Sequence, residues 1–278
     1  MINTSALVTE GSQLLGSTAE ARTLLAHAAG VELSRLALLP GIGEGAVCDY
    51  RALVRRRAAG EPVQYLTGRA AFRTVEVGVA PGVFIPRPET EVMTGWAIEQ
   101  IRKLPNPVVV ELCAGSGAIS AAIAAEAPGA EQYAVELSET ATRMASRNLA
   151  GSGVDLRTGD MADAFHELNS GVDLVIANPP YIPLEAWDGV AVDVRTHEPE
   201  LALFSGLDGL DALRVVAGVA ARLLRPGGVV CAEHAEVQAE SVVQVFADAR
   251  AFTKIADHPD LNDRPRFVTA VRAANLAG

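Results

Sequence analysis

Asn178-Pro179-Pro180-Tyr181 is the segment whose residue types come closest to dictating a chemistry. Two consecutive prolines fix φ and remove two backbone donors, leaving carbonyls that only accept hydrogen bonds. Asn178 adds a side-chain oxygen acceptor, and Tyr181 a flat face for a planar group. Together they suit a planar –NH2, whose two N–H bonds the Asn178 oxygen and the Pro179 carbonyl can each accept. An amide or aromatic amine of that kind has a delocalised lone pair and is a poor base. Gripping both hydrogens aims the nitrogen at an electrophile and stabilises positive charge as it develops, so positioning replaces a strong general base. A merely rigid Pro-Pro turn is the other reading of these residues.

The second candidate is Glu111-Leu112-Cys113-Ala114-Gly115-Ser116-Gly117-Ala118. Gly115 and Gly117 let the backbone turn sharply and approach a ligand. Nineteen residues after Gly117 stands Glu136, a carboxylate able to accept both hydroxyls of a ribose. Ser120 occupies the place of the third glycine of a GxGxxG dinucleotide pattern, and no GxxxxGK[ST] phosphate loop occurs. An E-x-x-x-G-x-G turn followed by that acid suits S-adenosylmethionine, which has no phosphate. A dinucleotide or a purely structural glycine turn are the alternatives. Cofactor contacts are expected from Cys113, Ala114, Gly115, Ser116, Gly117, Glu136 and Asn178. Asp160 could sit near an adenine amino group and Met161 against its face, or the pair could be a loop acid and a core methionine. Cys113 reads as a small packing residue, with a reactive thiol as the alternative. The histidines His27, His166, His197, His234 and His258 form no HExxH or other close ligand pair, so no metal site is expected.

These residues fall at the ends of an alternating pattern. Pro107–Leu112 reads as a buried strand, followed by the glycine turn and a helix through Ala125. Strands at Glu131–Glu136, Val154–Thr158, Val172–Ala177 and Val229–Glu233 follow, with helices at Ser138–Ala150, Asp211–Leu224 and Val237–Ala249. A turn at Arg225-Pro226-Gly227-Gly228 precedes the fifth strand, and Phe252–Ala256 with Arg266–Val271 read as a closing pair. That order predicts a doubly wound, mostly parallel α/β sheet, with both glycine turn and Asn178 outside the carboxyl ends of strands. Upstream, residues 1–60 read as helices, including Ala21–Ala28 capped by Ser17 or Thr18 and Val47–Ala59 with its Arg55-Arg56-Arg57 run, read as a solvated face. Thr74–Val77 alternates and Pro81-Gly82 marks a turn, predicting a short hairpin or extended linker, then a helix from Pro86 through Trp96 to Arg102. The expected domains are a helical residues 1–75, a hairpin and connecting helix at 76–104, and the sheet domain at 105–278.

The chain has 278 residues, 49% hydrophobic, enough for a packed core. No apolar run spans a membrane, the first residues carry no signal-peptide pattern, and three scattered cysteines point to a reducing cytoplasm. The net charge of −11 argues against non-specific nucleic-acid binding. It is uneven: residues 1–77 carry eight arginines against seven carboxylates, and the remainder 15 basic against 27 acidic side chains.

With these residues in view the sequence resembles class I methyltransferases, and specifically the release-factor glutamine methyltransferase family (PrmC/HemK type). The resemblance runs through Glu61–Gly68, Pro81–Glu91 with its IPRPETE segment, the glycine turn, Asn178–Ile182, Glu198-Pro199, Asp208–Leu210 and Pro226–Gly228. It implies a seven-stranded sheet with a small N-terminal helical domain that helps dock the substrate. It implies methyl transfer from S-adenosylmethionine to the side-chain amide of the glutamine in the GGQ loop of a peptide chain release factor, in the cytoplasm. Arg87 and Thr90, in the segment that lies beside the family's active site, would shape the pocket. Glu136 stands where many members have Asp, Cys113-Ala114 where a Gly-Thr pair is commoner, and Ser205 where Gly or Ala is frequent.

Two other functions share this pattern. An adenine amino group suits the same tetrapeptide, but the acidic charge and the lack of a long basic segment speak against nucleic-acid methylation. A non-catalytic cofactor-binding module would have no need of an intact Asn178. The acidity instead predicts a protein partner whose docking face is partly basic. The long stretch from Glu185 to Gly206 is expected to help close over the peptide.

Overall fold

A computed structural model describes residues 1–274, and the chain divides into two compact units. The first comprises Met1–Arg69 with Ala191–His197, the second Ala70–Val190 with the chain from Glu198 onward.

In the first unit, β1 (Ile2–Asn3) pairs antiparallel with β2 (Gly41–Ile42) beside α1 (Thr4–Leu15), α2 (Thr18–Ala28), α3 (Leu33–Leu36), α4 (Glu44–Ala58) and α5 (Val63–Thr67). Helical spacing sets its core: α2 buries Ala21, Leu24 and Leu25, and α4 buries Val47, Tyr50 and Val54. Ser17 caps α2, its hydroxyl accepting from the Glu20 N–H at 3.2 Å. The Tyr50 hydroxyl donates to the Leu7 carbonyl at 3.0 Å, tying α4 to α1. Within the arginine run, Arg56 pairs with Glu61 and Arg57 with Glu20, so two of its three charges have local carboxylate partners.

The second unit begins with β3 (Arg69–Phe72) paired to β4 (Val75–Gly78), then α6 (Pro88–Ile101). The turn of this hairpin is Arg73-Thr74, and Pro81-Gly82 forms a second turn, as the sequence predicts, after β4. Arg73 takes φ of 51°, and its guanidinium is held by Glu126 through two bonds of 2.8 Å. Next come β5 (Val108–Leu112), α7 (Ala118–Glu126), β6 (Glu131–Glu136), α8 (Glu139–Asn148), β7 (Asp155–Thr158) and β8 (Val172–Ala177). Helix α9 (Val192–His197) belongs to the first unit, and α10 (Asp211–Leu223), β9 (Leu224–Glu233), α11 (Ala239–Asp248), β10 (Phe252–Pro259) and β11 (Pro265–Arg272) complete the second.

The seven strands run β10-β11-β9-β8-β5-β6-β7, with β11 antiparallel to both neighbours and the other pairings parallel. Helices α6, α7 and α8 pack in succession, as do α10 and α11, consistent with right-handed crossovers that cover opposite faces. Covered on both faces, the central strands are mostly apolar, with Glu111 and Glu233 buried acids among them. One boundary differs from the sequence pattern: β9 starts at Leu224, so Arg225–Gly228 lies inside the strand as an irregularity. Pairing jumps from Val172–Leu224 to Leu174–Val229, because Pro226 and Gly227 interrupt the ladder without ending it. Strand order reverses at β5, between β6 and β8, which opens a crevice at the carboxyl edge.

Candidate active site

Register brings the candidate residues to one edge. Leu112 pairs with Val135 and Ala177, Glu136 with Thr158, and Ala177 with Ala232. Cys113, Glu136, Asp160, Asn178 and Glu233 therefore sit side by side where five parallel strands end. A cavity of about 360 Å³ opens there, lined by Gly115, Glu136, Asp160, Met161, Asn178 and Tyr181 among others.

At one end the wall is backbone. Cys113, Gly115 and Gly117 take positive φ of 59°, 56° and 78°, and the Gly117 N–H closes a turn on the Ala114 carbonyl at 2.7 Å. A Cβ on Gly117 would stand 3.2 Å from Leu149 and 3.3 Å from Ala145, so this position is held by packing as well as by φ. The Glu136 carboxylate ties the turn down, accepting from the Gly115 N–H at 2.8 Å and the Ser138 N–H at 2.7 Å. Each of its oxygens keeps a lone pair for another donor. Asn148 on α8 braces the same loop, donating to the Ser116 and Gly78 carbonyls. Below, buried Glu111 accepts from the Ser120 N–H and hydroxyl; burial pushes its carboxyl up to about 8. Asp160 caps a short turn through the Ala162 N–H at 2.9 Å, and the Met161 sulfur lies 3.6 Å from the Cys113 sulfur. Burial pushes the Cys113 thiol up, which favours the neutral packing residue over a reactive thiolate.

The other end is made of side chains. The Asn178 amide nitrogen donates to the Thr90 hydroxyl at 3.1 Å, and Thr90 donates to Glu233 at 2.6 Å. The other Glu233 oxygen accepts from the Tyr181 phenol at 3.1 Å. Thr90 and Glu233 are 3% and 1% exposed, so the hydrogen bond between them is well shielded from water. Burial pushes Glu233 up to about 7 against the pull of its two hydroxyl donors and of Arg266; burial also raises the Tyr181 phenol, keeping it a neutral donor. The Asn178 Oδ1 and the Pro179 carbonyl accept no hydrogen bond from the described residues. Behind Tyr181, Gln238 donates to its carbonyl at 2.9 Å, and Gly209 lies so close that a Cβ would meet that oxygen at 2.4 Å.

Residues 7–68 match the family described as PrmC N-terminal domain, and residues 75–193 the methyltransferase small domain. The chain is 52% identical over 256 residues to the release factor glutamine methyltransferase of Streptomyces coelicolor, covering 91% of this chain and 90% of that protein. The chain belongs to the release factor glutamine methyltransferase family. The enzyme of the same description from Mycolicibacterium smegmatis is 42% identical over 260 residues, 92% of this chain and 90% of its own. The 4-amino-L-phenylalanine/4-methylamino-L-phenylalanine methyltransferase of Streptomyces pristinaespiralis is also 42% identical, over 224 residues, 79% of this chain and 76% of that protein. As a release factor glutamine methyltransferase family member, the protein is an S-adenosylmethionine-dependent enzyme. Its second unit has the class I methyltransferase fold.

Most residues singled out in the sequence line this cavity, including Cys113, Ala114, Ser116, Pro180 and Thr90, while Gly117 and Pro179 are not among its lining residues. Arg87 is placed differently. Its guanidinium pairs with Glu198 and lies 4.8 Å over the Phe84 ring, clasping the IPRPETE segment to the chain beyond Asn178. Sequence reasoning missed Glu233, and it named Glu198 only within the family resemblance, without a role. The signal for Glu233 was present: an acid closing an otherwise apolar central strand, as Glu136 does. The pairing of Glu198 had no such signal, since its partners Ile85 and Arg87 are more than 100 residues away. The stretch after Tyr181 is tied at its base, where Ile182 donates to Leu203 and Ser205 to Ile182, and it lends Pro199, Leu201 and Leu203 to the cavity.

Among the described residues no group of His, Cys, Asp or Glu could hold a metal ion, and no helix is long and apolar enough to cross a membrane.

Proposed function

We infer that the protein methylates the side-chain amide nitrogen of the glutamine in the GGQ loop of a peptide chain release factor, acting in the cytoplasm. The observation that carries this reading is the state of Asn178: its –NH2 is engaged by Thr90, so its Oδ1 is left as an acceptor at the cavity wall. With the Pro179 carbonyl it offers two acceptors, matched in number to the two N–H bonds of a primary amide.

The residues at the glycine turn fit S-adenosylmethionine. Gly115 has open space where a Cβ would stand, Glu136 keeps lone pairs for ribose hydroxyls, and Met161 supplies an apolar face for the base. When bound, S-adenosylmethionine supplies a sulfonium methyl as the electrophile. Asn178 and the Pro179 carbonyl hold the acceptor nitrogen, and Tyr181 packs against the plane of its amide. Both acceptors grow more favourable as the nitrogen becomes positive, so they stabilise the transition state more than the ground state. Residues 1–75 dock the release factor, in keeping with the match to the PrmC N-terminal domain.

The test is transfer of labelled methyl to purified release factor, DNA and 4-amino-L-phenylalanine in parallel. Label on the GGQ glutamine alone is expected. Label in DNA or on the aromatic amine, with none on the glutamine, would overturn the assignment.

A further inference from the structure

Asn178 can serve as an acceptor only if its amide faces the right way. A primary amide turned by 180° presents –NH2 instead of oxygen, and two –NH2 groups facing each other repel. Nothing local to the Asn-Pro-Pro turn selects between the two orientations; the selection comes from behind it. Thr90 has one hydroxyl proton, and it is donated to Glu233, with 2.6 Å between the oxygens. Its oxygen can therefore only accept from Asn178, which requires the –NH2 to point at Thr90 and the oxygen to point away. Tyr181 gives its own proton to the second Glu233 oxygen, so the carboxylate receives a donor on each side and has none to return.

We propose that Glu233 is a positioning residue for the transfer reaction: through Thr90 it sets the orientation of the Asn178 amide, and through its second oxygen it holds the Tyr181 ring. This rests on the reading of Asn178 as the acceptor of the substrate amide. Ionised, Glu233 accepts from both hydroxyls. Protonated, it must donate to one of them, and if Thr90 is the one that turns, its proton is directed at Asn178 and the amide reverses. Two charges act on this carboxyl: Arg266 on β11, itself paired with Asp260, favours the ionised form, and Glu89 on α6 opposes it. Both hydroxyl donors, Thr90 and Tyr181, also favour the ionised form.

A double-mutant cycle tests the assignment, reading kcat, the KM for release factor, affinity for S-adenosylmethionine and Tm. Thr90→Val keeps the shape and removes the relay; it is expected to lower kcat about tenfold or more, with both affinities within about twofold. Thr90→Ser keeps the hydroxyl and should restore kcat to within about threefold. In an Asn178→Ala background Thr90→Val should cost nothing further, because there is no amide left to orient. Glu233→Gln should lower kcat and flatten the acidic limb of the kcat profile; if it fails to fold, the Thr90 pair decides. Thr90→Val with wild-type kcat, or with an equal loss in both backgrounds, would overturn this proposal and leave the Asn178 assignment standing. Full activity of Asn178→Ala would overturn both.

Discussion

The two ends of the cavity do comparable jobs with different materials. The cofactor end is shaped by three positive-φ residues within five, and one carboxylate pins its backbone N–H groups. The acceptor end is shaped by side chains, with Asn178 donating to Thr90 and both Thr90 and Tyr181 donating to buried Glu233. A backbone-built end resists perturbation until a substitution changes the backbone itself. A side-chain-built end can lose its chemistry while the fold stands. Damage at the first should register in binding and stability, and damage at the second in turnover.

The sharpest way to break that contrast is Asn178→Ala. Turnover should fall by about 100-fold or more, the scale of losing one oriented transition-state contact, while calorimetry shows S-adenosylmethionine still bound. Loss of cofactor affinity instead would make the two ends one. Glu136→Ala should do the reverse, weakening cofactor affinity by about 10- to 100-fold, as expected for lost hydrogen bonds to a charged acceptor, with a smaller change in kcat at saturation.

Acidity should separate the ends next. The folded protein takes up the Glu233 proton below about 7, whereas the ordinary carboxyl value is 4.5. Between those values the folded state binds more protons than the unfolded chain, so acidification stabilises the fold. The same protonation disturbs the acceptor line, so kcat should drop by up to about tenfold per pH unit below the transition while Tm rises. A kcat that is flat across this range would remove Glu233 from the account, whereas Tm responds as well to Glu111, whose carboxyl burial raises to about 8.

Gly117→Ala forces a Cβ into a positive-φ position already crowded by Leu149 and Ala145. A loss of about 2 kcal/mol is expected, seen as a Tm lower by several degrees, with kcat at saturating cofactor little changed. Cys113→Ala should matter least: kcat within about twofold and no inactivation of the wild type by alkylating agents, since the thiol is held neutral by burial.

The same contrast explains what could be read in advance. The glycine turn, the acid closing β6 and the Asn-Pro-Pro-Tyr turn are contiguous or follow a strand, so spacing alone located them. Pro81-Gly82 forms the turn its residues indicate, whereas the hairpin itself reverses at Arg73-Thr74, where the sequence carries no comparable signal. Arg73 holds its positive φ with its guanidinium bound to Glu126, 53 residues away, and to the Glu91 carbonyl. Strand β9 was begun too late, because Pro-Gly-Gly normally ends a strand and here only interrupts its pairing with β8.

Periodicity and turn chemistry in this chain specify which segments become strands and helices. They also specify that the reactive residues stand at strand ends. They carry no information on which buried hydroxyl meets which carboxylate. Thr90 and Glu233 lie 143 residues apart, and Asn178 is 88 from Thr90. Those partners meet because the order β9-β8-β5 sets Glu233 beside Asn178 and packs α6 against both strands. A hydrogen bond depends on distance and direction to within fractions of an ångström, and only the assembled sheet supplies these. The tetrapeptide in the sequence names an acceptor, and the packed strands determine that its oxygen faces the substrate.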